Sequence, residues 1–267
     1  MKLFRFFNFL TLLILFQAFL YSDWPTFASN NSRSGYTDSF IQTPIAKVWE
    51  AEIPGEILSS PVIYKNKVFI TTRFGYIVAL DLKTGSWLWD YSTSGFNDST
   101  PYVSTNTLII SSMDSKIYAF DIDVDTDTTS NAKIKWIFDL KAPSISSPLV
   151  YKNKVYVGAG APENSIFIID FLTGKLISKK SFEKPINSVI GVCQDKIIFG
   201  GNDGKIYSMS LEGVLISYQT AGGSFNMKSI ACDNDKLFSL PGYDERRLYV
   251  NRSSDTSLLY NSVDLSG

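Results

Sequence analysis

The sequence predicts an all-β fold: a β-propeller of four-stranded antiparallel blades, with about five repeats forming an incomplete ring. Three observations carry this expectation. A unit of about forty residues recurs along the chain, each unit divides into four short runs of β-branched and aromatic residues, and the breaks between runs hold turn-forming Gly and Asn.

The recurrence is plainest where Ser59-Ser60-Pro61 followed by VIYKNKVFI returns as Ser146-Ser147-Pro148 followed by LVYKNKVYV, identical at eight of twelve positions. Ser99-Thr100-Pro101 lies between them. With the proline slot as marker, Pro61, Pro101, Pro148, Val189 and Ile230 are separated by 40, 47, 41 and 41 residues, the long interval reflecting an insertion from Asp121 to Lys133. The repeats are therefore placed at 59–98, 99–145, 146–186, 187–227 and 228–267.

In the first copy the four strands are PVIY, KVFITT, YIVALD and WLWDYS, joined by turns at Lys65-Asn66-Lys67, Phe74-Gly75-Tyr76 and Lys83-Thr84-Gly85. Connections this short make antiparallel meanders. A lone sheet of this size has two apolar faces and cannot bury both, so the copies must stack on one another. A β-sandwich gives no reason for matched slots at forty-residue intervals.

Ahead of the repeats, Lys2 and Arg5 precede an uncharged stretch from Phe6 to Leu20, the pattern of a secretory signal over residues 1–22 with cleavage after Ser22. An uncleaved anchor is the alternative, and only in that case would the protein be membrane-associated. Residues 23–58 form an N-terminal segment in which Val48 to Ile53 has the character of an outer-blade strand. The fifth copy supplies its own last strand from Ser257 to Leu265, so the strand count predicts an open arc, a partial reading of a longer chain; the alternative is a five-bladed ring with Val48 to Ile53 added as an extra edge strand.

Composition narrows the chemistry. The 267 residues carry 25 Lys and Arg against 26 Asp and Glu, which leaves no basic field for nucleic acid. Histidine is absent, which removes the commonest general base and most zinc sites. The only cysteines, Cys193 and Cys232, sit in similar slots of neighbouring repeats. Blades usually hold such slots farther apart than the ~7 Å a disulfide tolerates, so two half-buried thiols are expected.

The run Ala79-Leu80-Asp81-Leu82-Lys83-Thr84-Gly85-Ser86-Trp87-Leu88-Trp89 resembles the quinoprotein-type, or PQQ-like, β-propeller repeat with its A-x-D-x-x-T-G-x-x-x-W signature. The second copy keeps Ala119, Asp121 and Trp136. The third keeps Asp170, Thr173 and Gly174 but has Ser178 in the Trp slot. The opening Asp23-Trp24-Pro25-Thr26-Phe27, with Arg33-Ser34-Gly35-Tyr36, is similar to the segment that precedes the first blade in many members. The resemblance implies that Trp49, Trp89, Trp136, Gly85 and Gly174 dock blade to blade as framework residues, with no catalytic role.

Within the family the chain is similar to the BamB-like, non-enzymatic branch. That similarity implies a scaffold exported to the periplasm or cell envelope of a bacterium, with a protein partner and no cofactor. The alternatives are an alcohol or sugar dehydrogenase using pyrroloquinoline quinone (PQQ) and Ca²⁺, or a glycan-binding module. Three local features remain. Asp121, Asp123, Asp125 and Asp127 make an acidic insertion expected to be solvated, with Ca²⁺ binding as the sharper possibility. Asp244-Glu245-Arg246-Arg247 reads as a wet turn. Phe96 and Phe225 are candidate aromatics for a binding patch at loop tips.

Overall fold

The computed structural model describes residues 23–36, 46–123, 132–221, 223–225, 230–234, 236–239, 247–252 and 258–264. The expected leader lies outside these residues, as do Asp125, Asp127 and Asp244 to Arg246.

Among the described residues, twenty strands form five separate four-stranded antiparallel sheets. Blade 1 contains β1 (Val62–Tyr64), β2 (Lys67–Thr71), β3 (Tyr76–Asp81) and β4 (Trp87–Ser92). Blade 2 contains β5 (Tyr102–Ser104), β6 (Thr107–Ser111), β7 (Lys116–Asp121) and β8 (Lys133–Asp139). Blade 3 contains β9 (Leu149–Tyr151), β10 (Lys154–Gly158), β11 (Ser165–Asp170) and β12 (Leu176–Ser181). Blade 4 contains β13 (Gly191–Cys193), β14 (Lys196–Gly200), β15 (Lys205–Met209) and β16 (Leu215–Thr220). Blade 5 contains β17 (Ile230–Asp233), β18 (Lys236–Ser239), β19 (Arg247–Arg252) and β20 (Leu258–Asp264). Each sheet is a plain meander, and among the described residues the five do not close into a ring.

Turn chemistry sets this register. The first hairpins of blades 1 to 4 turn at Lys65-Asn66, Thr105-Asn106, Lys152-Asn153 and Gln194-Asp195, all with positive φ. A pair of positive-φ residues matches the right-handed twist of the flanking strands, and Asn and Asp tolerate it best of the non-Gly residues. Strands two and three of blades 1 to 4 are largely buried, from Phe69 and Ile77 in blade 1 to Phe199 and Ile206 in blade 4. The outer strands are more exposed, with Trp89 and Trp136 facing inward.

The Ser-Ser-Pro slot, a mere marker in the sequence, is a hydrogen-bond relay between blades. Ser99 Oγ donates to Ser111 O at 2.7 Å, Ser111 Oγ to Ser146 O at 2.6 Å, and Ser146 Oγ to Ser188 O at 2.7 Å. Ser60 N donates to Thr100 Oγ1 at 3.1 Å and Thr100 N to Ser147 Oγ at 2.9 Å. Because Ser188 takes the place of Ser146, the fourth marker falls on Ile190 and not on Val189.

The five innermost strands converge on residues 23–36. Trp24 bridges Ile63 of β1, with its N to Ile63 O at 2.8 Å. Val103 N of β5 donates to Pro25 O at 2.8 Å, and Asn31 Nδ2 donates to Val150 O of β9 at 3.3 Å. Val192 N of β13 donates to Asn31 O at 2.8 Å, and Cys232 N of β17 to Ser32 O at 2.9 Å. At the centre lies Arg33, 3% exposed. Its guanidinium donates to Ile190 O at 2.9 Å, Thr26 Oγ1 at 2.5 Å, Phe27 O at 3.0 Å and Pro148 O at 3.5 Å. Burial lowers its pKa to about 10, which leaves it charged at neutral pH.

Two expectations are corrected. Val48 to Ile53 forms no strand: Trp49 and Ile53 instead pack on the Val68, Val78 and Leu80 face of blade 1. A ladder there would need the third strand of a preceding blade, and the described residues supply none. Cys193 and Cys232 are joined as a disulfide, not held as thiols. Their strands, β13 and β17, are both innermost, where neighbouring blades converge, so the Cα atoms lie only 5.8 Å apart.

Arg33→Met would leave several buried acceptors unpaired, at ~1–3 kcal/mol each, against relief from burying one guanidinium. The expected outcome is a loss of about 2 kcal/mol or more in urea unfolding, with Arg33→Lys giving little rescue because one ammonium cannot span acceptors on three segments.

Blade-docking residues and a candidate protein-contact face

The signature residues form two matching sites. The Asp81 carboxylate accepts hydrogen bonds from Lys83 N at 2.9 Å, Thr84 N at 2.8 Å and Thr84 Oγ1 at 2.9 Å. In the third blade Asp170 accepts from Leu172 N at 3.2 Å, Thr173 N at 2.8 Å and Thr173 Oγ1 at 2.7 Å. The Thr84 backbone N–H is the main influence lowering the Asp81 pKa; for Asp170 it is the Thr173 hydroxyl. Each turn ends in a glycine at positive φ, Gly85 at 71° and Gly174 at 68°.

An indole from the preceding segment lies on each turn. Trp49 Nε1 donates to Leu82 O at 2.9 Å, and a Cβ on Gly85 would come within 2.6 Å of its ring. Trp136 of blade 2 repeats this on blade 3: Nε1 donates to Phe171 O at 3.0 Å, and a Cβ on Gly174 would approach its ring to 2.6 Å. Trp89 departs from the pattern. It is buried between Phe69 and Phe120, with ring centroids 5.8 and 5.9 Å away, and its Nε1 has no hydrogen-bond partner. The carbonyl in the equivalent place, Ile122 O, accepts from Lys67 Nζ instead.

A different set of residues is exposed at the strand ends that carry the β2–β3 and β6–β7 turns. Phe74 is 70% exposed and Phe96 54% exposed, with Ile57, Leu58 and Met113 also open to solvent. Main-chain bonds tie these loops together: Arg73 N to Glu56 O at 2.9 Å, Asn97 N to Thr72 O at 3.2 Å and Met113 N to Phe96 O at 2.9 Å. The Arg73 guanidinium is held by Asp98 through two 3.2 Å bonds and lies 6.0 Å from the Phe96 ring centroid. Arg73, Phe74, Tyr76, Thr93, Gly95 and Phe96 line a cleft of about 380 Å³.

Slot comparison separates this surface from the framework. Where blade 1 has Phe74, blade 2 has Asp114 and blade 4 has Asp203, and each of these accepts the hydroxyl of the tyrosine four residues on, Tyr118 or Tyr207, at 2.5 Å. Burial and that carboxylate hold both phenols above their ordinary pKa. Phe74 serves no such internal bond. Sequence reasoning singled out Phe96 but passed over Phe74, whose signal was its departure from the Asp of its sister turns.

Phe225, the other candidate patch residue, is fully buried, which corrects its assignment to an exposed tip. It fills the space beside Gly200, where a Cβ would meet its ring at 2.2 Å. In the acidic insertion, Asp121 faces Lys133 and Lys135 at 3.7 and 3.8 Å, and Asp123 faces Lys65 at 3.6 Å. Among the described residues no three acidic or cysteine side chains converge to hold a metal ion.

Stacked four-stranded blades with an indole resting on an Asp-x-x-Thr-Gly turn define the class of PQQ-like β-propellers. The chain belongs to the family described as outer membrane protein assembly factor BamB, whose family model matches residues 45–227. The BamB of Shewanella oneidensis is 28% identical over 158 residues, which cover 57% of this chain and 36% of that protein. The BamB of Moranella endobia is 24% identical over 234 residues, covering 79% of this chain and 58% of that protein. The chain thus spans only part of the length of the curated relatives it matches.

Among solved structures, BamB from Moraxella catarrhalis superposes with a TM-score of 0.65 at 16% identity, over 80% of this chain and 63% of that one. Quinohemoprotein alcohol dehydrogenase from Comamonas testosteroni does so with a TM-score of 0.72 at 13% identity, over 91% of this chain and 49% of that one. At such identities the likeness shows the fold alone.

Because Gly85 and Gly174 combine positive φ with ring contact, Gly85→Ala and Gly174→Ala are each expected to cost more than about 1 kcal/mol in urea unfolding. Trp136→Ala is expected to cost ~3–5 kcal/mol.

Proposed function

We propose that this protein is a non-catalytic scaffold of the bacterial cell envelope that binds another protein through the loop face of blades 1 and 2. The observation that carries the reading is the cluster of Phe74, Phe96, Ile57, Leu58 and Met113, exposed on hydrogen-bonded loops at positions that the framework does not require. Apolar side chains gathered on one surface, with a charged residue among them, are the ordinary make-up of a protein-contact site. Membership in the BamB family and the secretory character of residues 1–22 support an exported scaffold. On the same reading the Trp–turn contacts serve to dock blades.

The dehydrogenase reading is less well supported. The space between the innermost strands is filled by residues 23–36, and its centre holds the Arg33 guanidinium bonded to main-chain carbonyls. A site for Ca²⁺ with a quinone needs convergent oxygen ligands, and the described residues that line this space do not fit that group.

Crosslinking followed by pull-down from bacterial envelope fractions tests the scaffold directly. The wild-type protein should recover a defined protein partner, and Phe74→Glu/Phe96→Glu should reduce recovery at least tenfold, with thermal stability unchanged because both rings are exposed. Equal recovery by the variant would remove this face from the proposal. Quinone absorbance with dye-linked alcohol or sugar oxidation, after addition of pyrroloquinoline quinone and Ca²⁺, would favour the enzyme.

A further inference from the structure

Strand register defines the docking slot in each blade as the residue paired with the middle of the third strand, just before a bulge. Trp89 occupies it opposite Ala79, and Trp136 opposite Ala119. In blades 3 and 4 the same register position holds Ser178 opposite Ile168 and Ser217 opposite Ser208. The indole dock is therefore lost after the second blade.

The junction between blades 3 and 4 has other support. Ser178 Oγ donates to Glu212 O at 3.1 Å, and Lys154 Nζ and Tyr156 OH both donate to Leu211 O at 3.1 Å. These blades also share the large apolar cluster that runs from Ile109 through Tyr156 to Phe199 and Met209. Among the described residues, the junction between blades 4 and 5 has a smaller cluster built on Ile198, Ile206, Ile230 and Leu237, with Cys193 in it and Cys232 packed against it.

We propose that the Cys193–Cys232 disulfide replaces the missing indole dock between blades 4 and 5, so that the fifth blade stays seated only in an oxidising compartment. The bond links β13 to β17 across 39 residues of sequence and so constrains the undocked state of the fifth blade. Cys193 is buried, while Cys232 is more open and borders a surface cavity of about 540 Å³ lined by Ser32, Ser34, Tyr36 and Asn234. A dithiol reductant entering there would be oxidised to its own disulfide. Its two electrons and two protons would convert Cys193 and Cys232 to thiols and remove the covalent link between blades 4 and 5.

The test is limited trypsin digestion of the folded wild-type protein with and without dithiothreitol, under native conditions, with the thiols counted by alkylation and mass spectrometry. Reduction should accelerate cleavage at Lys236 and Arg252 of blade 5 at least fivefold relative to Lys83 and Lys175 of blades 1 and 3. Cys193→Ser/Cys232→Ser should behave like the reduced protein and be indifferent to dithiothreitol. A smaller selective change, or equal acceleration in all blades, would overturn the proposal. Because the wild-type protein is folded before reduction, a variant that failed to fold would not obscure the result.

Discussion

A four-stranded sheet with apolar side chains on both faces cannot fold alone, and every other feature of this molecule answers that constraint. Each blade must find a neighbour on either side, and the contact must be broad and flat. An indole over a glycine turn meets the requirement: Gly85 and Gly174 offer turns without a Cβ, and Trp49 and Trp136 lie on them with their N–H groups bonded to the turn carbonyls. The Asp carboxylate beneath each turn fixes the loop against which the ring rests. Residues that look like a functional motif are, on this account, the means of stacking.

The second answer lies at the inner edge. An open arc has no circumferential closure to hold its inner strands, and residues 23–36 supply contacts to one strand of each blade. Placing Arg33 at the centre removes a charge from water, which is costly unless its donors are satisfied. Main-chain carbonyls from Phe27, Pro148 and Ile190 do this, drawing together the N-terminal segment and blades 3 and 4. Lysine offers a point charge where this site needs a fork.

Much of the architecture was legible in the sequence because it depends on local chemistry repeated in register. Strand periods and paired positive-φ turn residues recur every forty residues or so, the Asp-x-x-Thr-Gly run marks the first and third copies, and together they point to meandering blades. What escaped depends on where distant segments meet. The disulfide was misjudged because similar slots were taken to be evenly separated, whereas innermost strands converge. Val48 to Ile53 has strand-like residues without an edge to pair, so Trp49 decides its path. Phe225 follows a Gly-Ser pair and so has the local look of a tip, yet the bare backbone at Gly200 makes room to bury it.

The same repetition that reveals the fold also indicates where to look for recognition. A residue present in every copy is accounted for by stacking, and one that breaks the pattern must either repair a local defect or face outward. Ser178 repairs, reaching Glu212 O where an indole is absent. Phe74 does not: blade 1 has Val78 where the sister blades have Tyr118 and Tyr207, so no phenol there calls for a carboxylate, and the ring is left open to solvent. With the phenol and its carboxylate both replaced, the position is released from the framework, and an exposed ring there is available for contact outside the chain.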